Sequence, residues 1–214
     1  MVPLSVQIIM EIIFLIAILV VSVIIHEVSH GYVAYMLGDP TAKLAGRLTL
    51  NPISHIDPLG SIIVPTLMAL MPGGIIFGWA KPVPYNPYNL KNQRWGTALV
   101  GAAGALSNLF IALIFGTLIR YADVLSLSGP FLQISGMIVI LNIVLAVFNL
   151  IPIPPLDGSK VLFSLLPIKF HYIQEFLERY WLFLIFFLIF FASNIVFPIV
   201  NFLFKVITGV SFGF

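Results

Sequence analysis

Residues 7–37 read QIIMEIIFLIAILVVSVIIHEVSHGYVAYML, an apolar run that is long enough to cross a lipid bilayer. Helix-breaking residues, Gly-Asp-Pro, follow it directly at 38–40. About thirty helical residues rise roughly 45 Å, which exceeds the roughly 30 Å thickness of the hydrocarbon core. The run therefore predicts a membrane helix that is tilted or that protrudes beyond the lipid.

Three ionisable side chains lie near the end of this run, in the sequence His26-Glu27-Val28-Ser29-His30. Side chains four residues apart share one face of a helix, so His26 and His30 can bind one metal ion together. Glu27 lies beside them, where it can take a proton from an attacking water. Ionisable groups within hydrocarbon are costly unless they have a function, so this stretch predicts hydrolysis inside a membrane. The alternative is a packed pair of histidines with a neighbouring glutamate.

The composition also indicates a membrane protein. Hydrophobic residues make up 60% of the 214 residues and charged residues 8%, which lies outside the range of soluble globular domains. The chain has no cysteine, so histidine, aspartate and glutamate are the candidate metal ligands. A net charge of +2, dispersed along the chain, gives no reason to expect nucleic acid as a partner. We expect one intramembrane domain over residues 1–214, with its core at about 7–165 and C-terminal helices at 166–214.

Other segments complete the predicted fold. Beyond the first helix, the sequence predicts three further spans, at about 96–119, 132–150 and 181–204. It also predicts an amphipathic helix at about 158–180 and a short β-like element at 46–50. The predicted fold is an all-α polytopic membrane protein with about four transmembrane helices, a re-entrant segment and the short β-like element.

The apolar run at 59–77 decides the topology. Pro65 and the sequence Pro72-Gly73-Gly74 divide it into halves too short to span, so we expect it to enter the membrane and return on the same side. This arrangement puts eight of the ten basic residues on one side, whereas a spanning run would give six against four. The stronger bias favours the re-entrant arrangement and makes that side cytosolic. Irregular backbone at membrane depth must be buried or line water, so we expect a multi-pass protein of the cell membrane whose active site is accessible from the cytosolic side.

A hydrolytic zinc site usually has three protein ligands, and two histidines leave it one short. Of the eight acidic residues, four are expected at the outer side or on a solvated helix face, one at the end of the first helix, and Glu27 in catalysis. Asp57 and Asp157 remain. Asp157 is favoured because it begins a new segment directly after the proline-rich turn at 151–155, which would orient its carboxylate. The alternative is that Asp157 caps the helix that follows.

With these motifs the chain resembles the site-2 protease family of intramembrane zinc metalloproteases, in its compact subgroup without PDZ or CBS domains. The first family motif matches residues 26–31, and the second, an asparagine eight residues before Asp-Gly with prolines between, matches 149–158. A third, weaker motif matches 104–108, with Ala105 where proline is usual. Residues 78–84, Gly-Trp-Ala-Lys-Pro-Val-Pro, are similar to a stretch in compact bacterial and archaeal members.

The resemblance implies a role for each matching residue. His26, His30 and Asp157 would bind one zinc ion, Zn2+. Glu27 would act as general base and later as proton donor. Asn149 would help to stabilise the oxyanion, a role that competes with capping its own helix or bonding to a neighbouring one.

Two further residues are weaker candidates for substrate binding. Asn108 lies in the third motif, where helix–helix packing is the alternative. His55 precedes the re-entrant segment and could approach the cavity, although a turn role for residues 54–58 is the competing interpretation. The implied substrates are single-pass membrane proteins in the lipid bilayer, cleaved in or near a transmembrane segment.

Two other functions compete with proteolysis. Intramembrane histidine and aspartate also mark ion pathways, so a metal-ion transporter is one alternative. Against it, the polar residues gather at one depth and the sequence shows no repeated half. The other alternative is a non-catalytic zinc-binding membrane scaffold, which Glu27 disfavours because the metal does not need it as a ligand.

Overall fold

The computed structural model describes residues 4–70 and 78–210. Within these ranges the α-helices are α1 (Leu4–Met36), α2 (Thr41–Leu44), α3 (Val64–Leu70), α4 (Gln93–Arg120), α5 (Gly129–Asn149), α6 (Asp157–Leu165) and α7 (His171–Thr208). Short 3-10 or π-helical segments lie at Pro52–His55, Pro58–Ile63, Pro87–Asn89 and Ile168–Phe170. The described part of the chain contains no β-strand, so the predicted all-α class is confirmed.

Three helices are long and apolar enough to cross a membrane, at Ile8–Met36, Gln93–Arg120 and Gly129–Asn149. They agree with the first three predicted spans, and the chain is a multi-pass membrane protein. Many of their large apolar side chains are exposed, Val21 of α1 to 56% and Phe110 of α4 to 64%. Such exposure is expected where lipid rather than protein covers a helix.

The β-like element predicted at 46–50 is wrong. After α2 the N–H groups of Gly46 and Arg47 donate to the carbonyl oxygens of Lys43 and Ala42, at 3.0 and 2.9 Å. Gly46 has a φ of +65°, which suits this turn. The backbone groups that a strand would offer to a neighbour are therefore used in closing a turn.

The predicted division of the C-terminal region is also wrong. An amphipathic helix ending near residue 180 and a separate span at 181–204 were expected, but α7 runs continuously from His171 to Thr208. No glycine or proline lies between 171 and 197 to interrupt it, and Pro198 is accommodated inside the helix. The change in polarity along α7 therefore marks a change of surroundings and not a break in the helix.

Helix α4 lies at the centre of the bundle, where it contacts α1, α5, α6 and α7. Glycine permits the close approaches: a Cβ on Gly101 would lie 3.0 Å from Cβ of Lys160 in α6, and one on Gly116 would overlap Ile207 of α7. A buried apolar cluster joins α4, α5 and α7, and consists of Ala112, Val139, Ile143, Val196, Val200 and Phe204. Because α1, α5, α6 and α7 all pack against α4, this helix sets their relative positions.

Asp39 ties the end of α1 to the segment that precedes α4. Its side chain is fully buried and accepts hydrogen bonds from Thr41 N (3.1 Å) and Oγ1 (2.5 Å), Asn86 N (2.6 Å) and Asn89 Nδ2 (2.8 Å). Burial alone would raise the pKa of this carboxyl, but these hydrogen bonds outweigh it and hold the pKa below its usual range. The residue expected only to stop a helix therefore also anchors residues 86–89.

After the run at 59–77 the chain lies beside the residues at which that run began. Trp79 N donates to Gly60 O at 3.1 Å, and Ser61 Oγ donates to Trp79 O at 2.9 Å. The connecting segment, residues 78–85, then continues past Lys81, whose N–H donates to His55 O at 2.9 Å. The turn predicted at 72–74 lies outside the described residues.

Replacing Asp39 by asparagine (D39N) should lower the stability of the fold by about 2–3 kcal/mol at neutral pH, because charge-assisted hydrogen bonds lose their ionised acceptor. A carboxyl with a lowered pKa stabilises the fold above its unfolded pKa of about 3.9 and loses this effect as the pH falls through the lower folded value. The difference between wild type and D39N should therefore shrink in that acidic range. Thermal unfolding in detergent, followed by circular dichroism at several pH values, measures it. D123N, at an exposed position, is the matched control, and equal stability of D39N and D123N at neutral pH would contradict the assignment.

Candidate metal centre

Three buried side chains meet where α1, α4 and α6 come together. The Nε2 atoms of His26 and His30 each lie 3.0 Å from Oδ2 of Asp157, and all three residues are at most 7% exposed. The potential ligand atoms of this group lie within 4.8 Å of one another. Of the two aspartates that the sequence left as candidates, Asp157 is the one beside the histidines. Asp57 instead caps a helical turn, where its Oδ1 accepts from Leu59 N and Gly60 N.

The other nitrogen of each imidazole is held by an oxygen of α4. Nδ1 of His26 lies 2.6 Å from Oδ1 of Asn108, and Nδ1 of His30 lies 2.5 Å from the backbone oxygen of Val100. Carbonyl oxygens can only accept, so each Nδ1 carries a proton and donates it. The second ring nitrogen, Nε2, of each imidazole then faces Oδ2 of Asp157.

Three electron-rich atoms therefore face one another in a buried space. Two Nε2 atoms and a carboxylate oxygen at 3.0 Å need a proton or a metal cation between them, and two histidines with one carboxylate are a usual ligand set for catalytic zinc. Hydrogen bonding of the second imidazole nitrogen to a carbonyl oxygen is the usual support for such a ligand. The donor set and its surroundings thus fit a zinc ion.

Gly104 keeps the space beside these atoms open. A Cβ at this position would lie 2.5 Å from Nε2 of His30 and closer still to Nε2 of His26. Together with Val100 and Asn108, Gly104 forms a row at intervals of four residues along one face of α4. His26 and His30 have the same spacing on α1, so two matching rows oppose each other across the helix interface.

The start of α6 brings Asp157 to this place. Gly158 allows the approach, because a Cβ there would overlap the backbone of Leu150 and contact Ile151 O at 2.6 Å. Oδ1 of Asp157 accepts from Nζ of Lys160 at 2.8 Å, while Oδ2 faces the histidines. The carboxylate is therefore shared between a basic side chain and the two imidazoles, and its role exceeds capping of α6.

A cavity of about 160 Å³ opens onto this group, large enough for several water molecules. Its lining consists of His26, Glu27, His30, Pro82, Val83, Tyr85, Asn149, Pro155, Asp157 and Lys160. Oε2 of Glu27 accepts from Val83 N at 2.9 Å, so the connecting segment orients this carboxylate. Nδ2 of Asn149 donates to Leu145 O of its own helix at 2.9 Å. Glu27 and Asn149 therefore lie in the same cavity as the three candidate ligands.

Two weaker candidates lie elsewhere. Asn108 is fully buried behind His26, outside the cavity, and its amide is occupied by His26 and Asn142. His55 is 3% exposed, and its Nε2 is 2.8 Å from Thr49 O. Contact of either side chain with a substrate is not supported by these positions, because neither side chain lines the cavity. For Asn108 the packing alternative describes the position better, and for His55 the turn does.

The contributions of five residues to the site were not predicted from the sequence. Val100 acts through its backbone oxygen, which no side-chain pattern reveals. Gly104 and Asn108 belong to a recognised motif, but their contact with the histidines was not foreseen. Asn142 and Lys160 were not singled out, although a polar residue inside an apolar span such as α5 is itself a signal.

Comparison with known proteins places this geometry in a family. The family model for peptidase family M50 matches residues 123–192. YwhC of Bacillus subtilis, named as a candidate zinc metalloprotease, is 42% identical over 160 residues, which cover 72% of this chain and 69% of YwhC. The chain belongs to peptidase family M50.

More distant relatives of this M50 peptidase carry similar names. Rip2 of Mycolicibacterium smegmatis, also named as a candidate zinc metalloprotease, is 32% identical over 149 residues, 66% of this chain and 52% of Rip2. The zinc metalloprotease MJ0392 of Methanocaldococcus jannaschii is 26% identical over 157 residues, 73% of this chain and 35% of its own. The chain thus spans about half of Rip2 and a third of MJ0392. No solved structure matches it significantly.

Replacing Gly104 by alanine (G104A) in this M50 peptidase should weaken metal binding by at least about tenfold, because the new methyl group would occupy the space beside both Nε2 atoms. Metal content after dialysis and competition with a chromogenic chelator measure the loss. The control is G136A in α5, where an added Cβ has nothing within 4 Å. Undiminished metal affinity in G104A would mean that the metal lies elsewhere.

Proposed function

We propose that this M50 peptidase is an intramembrane zinc metalloprotease that cleaves a peptide bond in or near a transmembrane segment of single-pass membrane proteins. The observation that carries the proposal is the convergence of His26, His30 and Asp157 beside Glu27 in a cavity among membrane helices. The zinc metalloprotease names of the relatives agree with it. Residues 1–214 act as one domain in this proposal.

His26, His30 and Asp157 would hold the zinc ion. Three protein ligands leave a position for water or substrate, as catalytic zinc sites require. Bound zinc supplies Lewis-acid polarisation of the scissile carbonyl and makes nearby water more acidic. The rest of the chemistry falls to side chains of this chain.

Glu27 is the group that moves the proton. Its carboxylate lies in the cavity next to the ligands on α1 and is oriented by Val83 N, so it can accept a proton from the attacking water. The same carboxyl then donates that proton to the leaving amine. One residue thereby acts as base and acid in successive steps.

Asn149 is placed to stabilise the developing oxyanion. An amide nitrogen carries two hydrogens, and the bond to Leu145 O uses one of them. The second can donate to the carbonyl oxygen of a substrate in the cavity. A fixed donor of this kind is worth more in a water-poor site than in bulk solvent.

In the proposed topology the protein lies in the cell membrane and crosses it four times. The run at 59–77 is re-entrant, and the cavity opens to the cytosol. Support comes from the hydrogen bond between Trp79 N and Gly60 O, because a segment whose two ends are bonded to each other leaves and returns at one level. The distribution of basic residues, eight against two, favours the same arrangement. Water would reach the site from the cytosolic side.

A transporter is less well supported. Among residues 4–70 and 78–210, only one group of three His, Asp or Glu side chains could hold a metal ion, whereas a pathway needs successive sites across the bilayer. A zinc-binding scaffold would need the three ligands but not Glu27. Both alternatives predict that no peptide product forms.

Replacing Glu27 by glutamine (E27Q) should reduce cleavage of a model transmembrane substrate by roughly 100- to 10,000-fold while zinc stays bound, because the amide cannot accept the proton. Purified protein reconstituted in liposomes, with product measured by gel and zinc by metal analysis, tests this. E175Q, on the exposed side of α7, is the matched control, and a chelator should stop wild-type cleavage until zinc is restored. Full cleavage by E27Q would rule out the mechanism.

Single cysteines test the topology directly, because the natural chain has none. If the run at 59–77 is re-entrant, K43C and K91C should react with a membrane-impermeant maleimide from the same side, and K205C from the opposite side. Labelling of intact cells and of inverted vesicles distinguishes the two sides. Reaction of K43C and K91C from opposite sides would mean that the run spans the membrane.

A further inference from the structure

A layer of polar side chains lies behind His26, away from the cavity. Ser22 of α1, Asn108 of α4 and Asn142 of α5 are at most 3% exposed. Nδ2 of Asn108 donates to Oδ1 of Asn142 at 2.7 Å and, at the longer distance of 3.4 Å, to Ser22 O. Nδ2 of Asn142 donates to Ile138 O at 2.9 Å and to Ser22 Oγ at 3.0 Å. The shorter bond, to Asn142, is the stronger constraint on the Asn108 amide. The layer thus connects three helices, and Asn108 connects it to His26.

The hydrogen bonds of this layer have only one self-consistent direction. Ile138 O is a backbone carbonyl and can only accept, so the amide nitrogen of Asn142 must face it. The oxygen of Asn142 then faces Asn108 and can only accept, so the nitrogen of Asn108 must face Asn142. The oxygen of Asn108 is left for His26, whose Nδ1 must carry a proton.

The two histidines differ in how this direction is set. Nδ1 of His30 faces Val100 O, which is part of the helix backbone and cannot turn. Nδ1 of His26 faces a side-chain amide, whose two ends are nearly equal in size and can exchange by rotation about χ2. Reversal of Asn108 would present N–H groups to Nδ1 of His26 and move its proton to Nε2, the nitrogen that faces Asp157.

We propose that Asn142 is a positioning residue for the metal centre: it fixes the orientation of the Asn108 amide and thereby keeps Nε2 of His26 free of a proton. Asn142 touches neither ligand nor substrate and acts through Asn108. The backbone oxygen of Ile138 is the fixed end of this relay. The inference rests on the proposed function, since it concerns His26 as a ligand.

Two substitutions at position 142 separate polarity from packing. N142L removes the acceptor for Asn108 while keeping the number and branching of the side-chain heavy atoms, whereas N142D keeps an oxygen toward Asn108 in either protonation state. S135A is the matched control, because Ser135 lies buried on the same helix and its hydroxyl has no hydrogen-bond partner among the described residues. Zinc affinity is measured by competition with a chelator, and the cobalt-substituted proteins are compared by visible absorption.

We expect N142L to bind zinc at least about tenfold more weakly than wild type and to show an altered cobalt spectrum. N142D should remain within about threefold of wild type, and S135A should be unchanged. Wild-type affinity in N142L would overturn the relay. So would a loss in N142D equal to that in N142L when both variants unfold at the wild-type temperature in the absence of metal.

A measurement on the wild-type protein keeps the proposal testable if N142L does not fold. Histidine-selective 15N NMR of the zinc-loaded chain should show His26 bound through Nε2 with Nδ1 protonated, and binding through Nδ1 would overturn it. H26A distinguishes the two proposals. If H26A abolishes zinc binding and N142L does not, the metal centre stands and the relay through Asn142 is wrong. If H26A leaves zinc binding unaffected, the assignment of the metal centre itself is wrong.

Discussion

Mutual repulsion of three electron-rich atoms is the constraint on which the rest of this structure depends. Two imidazole nitrogens and a carboxylate oxygen are held together by side chains that are at most 7% exposed, where the surrounding protein limits their contact with water to one cavity. A proton or a metal cation between the three atoms relieves this repulsion, and the surrounding helices hold each atom in place. In the proposed function zinc takes this place, so the metal and the fold would stabilise each other.

Helix α4 contributes most to this support, although it supplies no ligand. Its backbone orients His30 through Val100, its glycine at 104 leaves the space for the metal, and its amide at 108 orients His26. The same helix packs against α6 through Gly101, close to Asp157. One element thus determines how three candidate ligands from two other helices meet, which agrees with its place in the middle of the bundle.

The sequence predicted which side chains meet at the candidate metal centre better than it predicted their supports, for a physical reason. Helical periodicity brings His26 and His30 onto one face whatever the tertiary structure, and the scarcity of acidic residues left few partners for them. The partner of His30 is a backbone oxygen, which every residue possesses, so residue identity carries no information about it. The β-like element at 46–50 failed similarly, because an apolar alternation does not say where backbone hydrogen bonds go. Asn142 was visible as a polar residue in a span, but its partner on α4 depends on helix packing that the sequence pattern does not define.

The two opposing rows, at 26 and 30 on α1 and at 100, 104 and 108 on α4, have a consequence for how this family can vary. One inserted or deleted residue rotates the remainder of a helix by about 100° and shifts it by about 1.5 Å, so it would turn an entire row away from its partner. Substitutions on the lipid-facing sides of these helices leave the alignment intact. Over evolutionary time the length between 100 and 108 should therefore be held more strictly than the residues between them, and loops should absorb the changes in length.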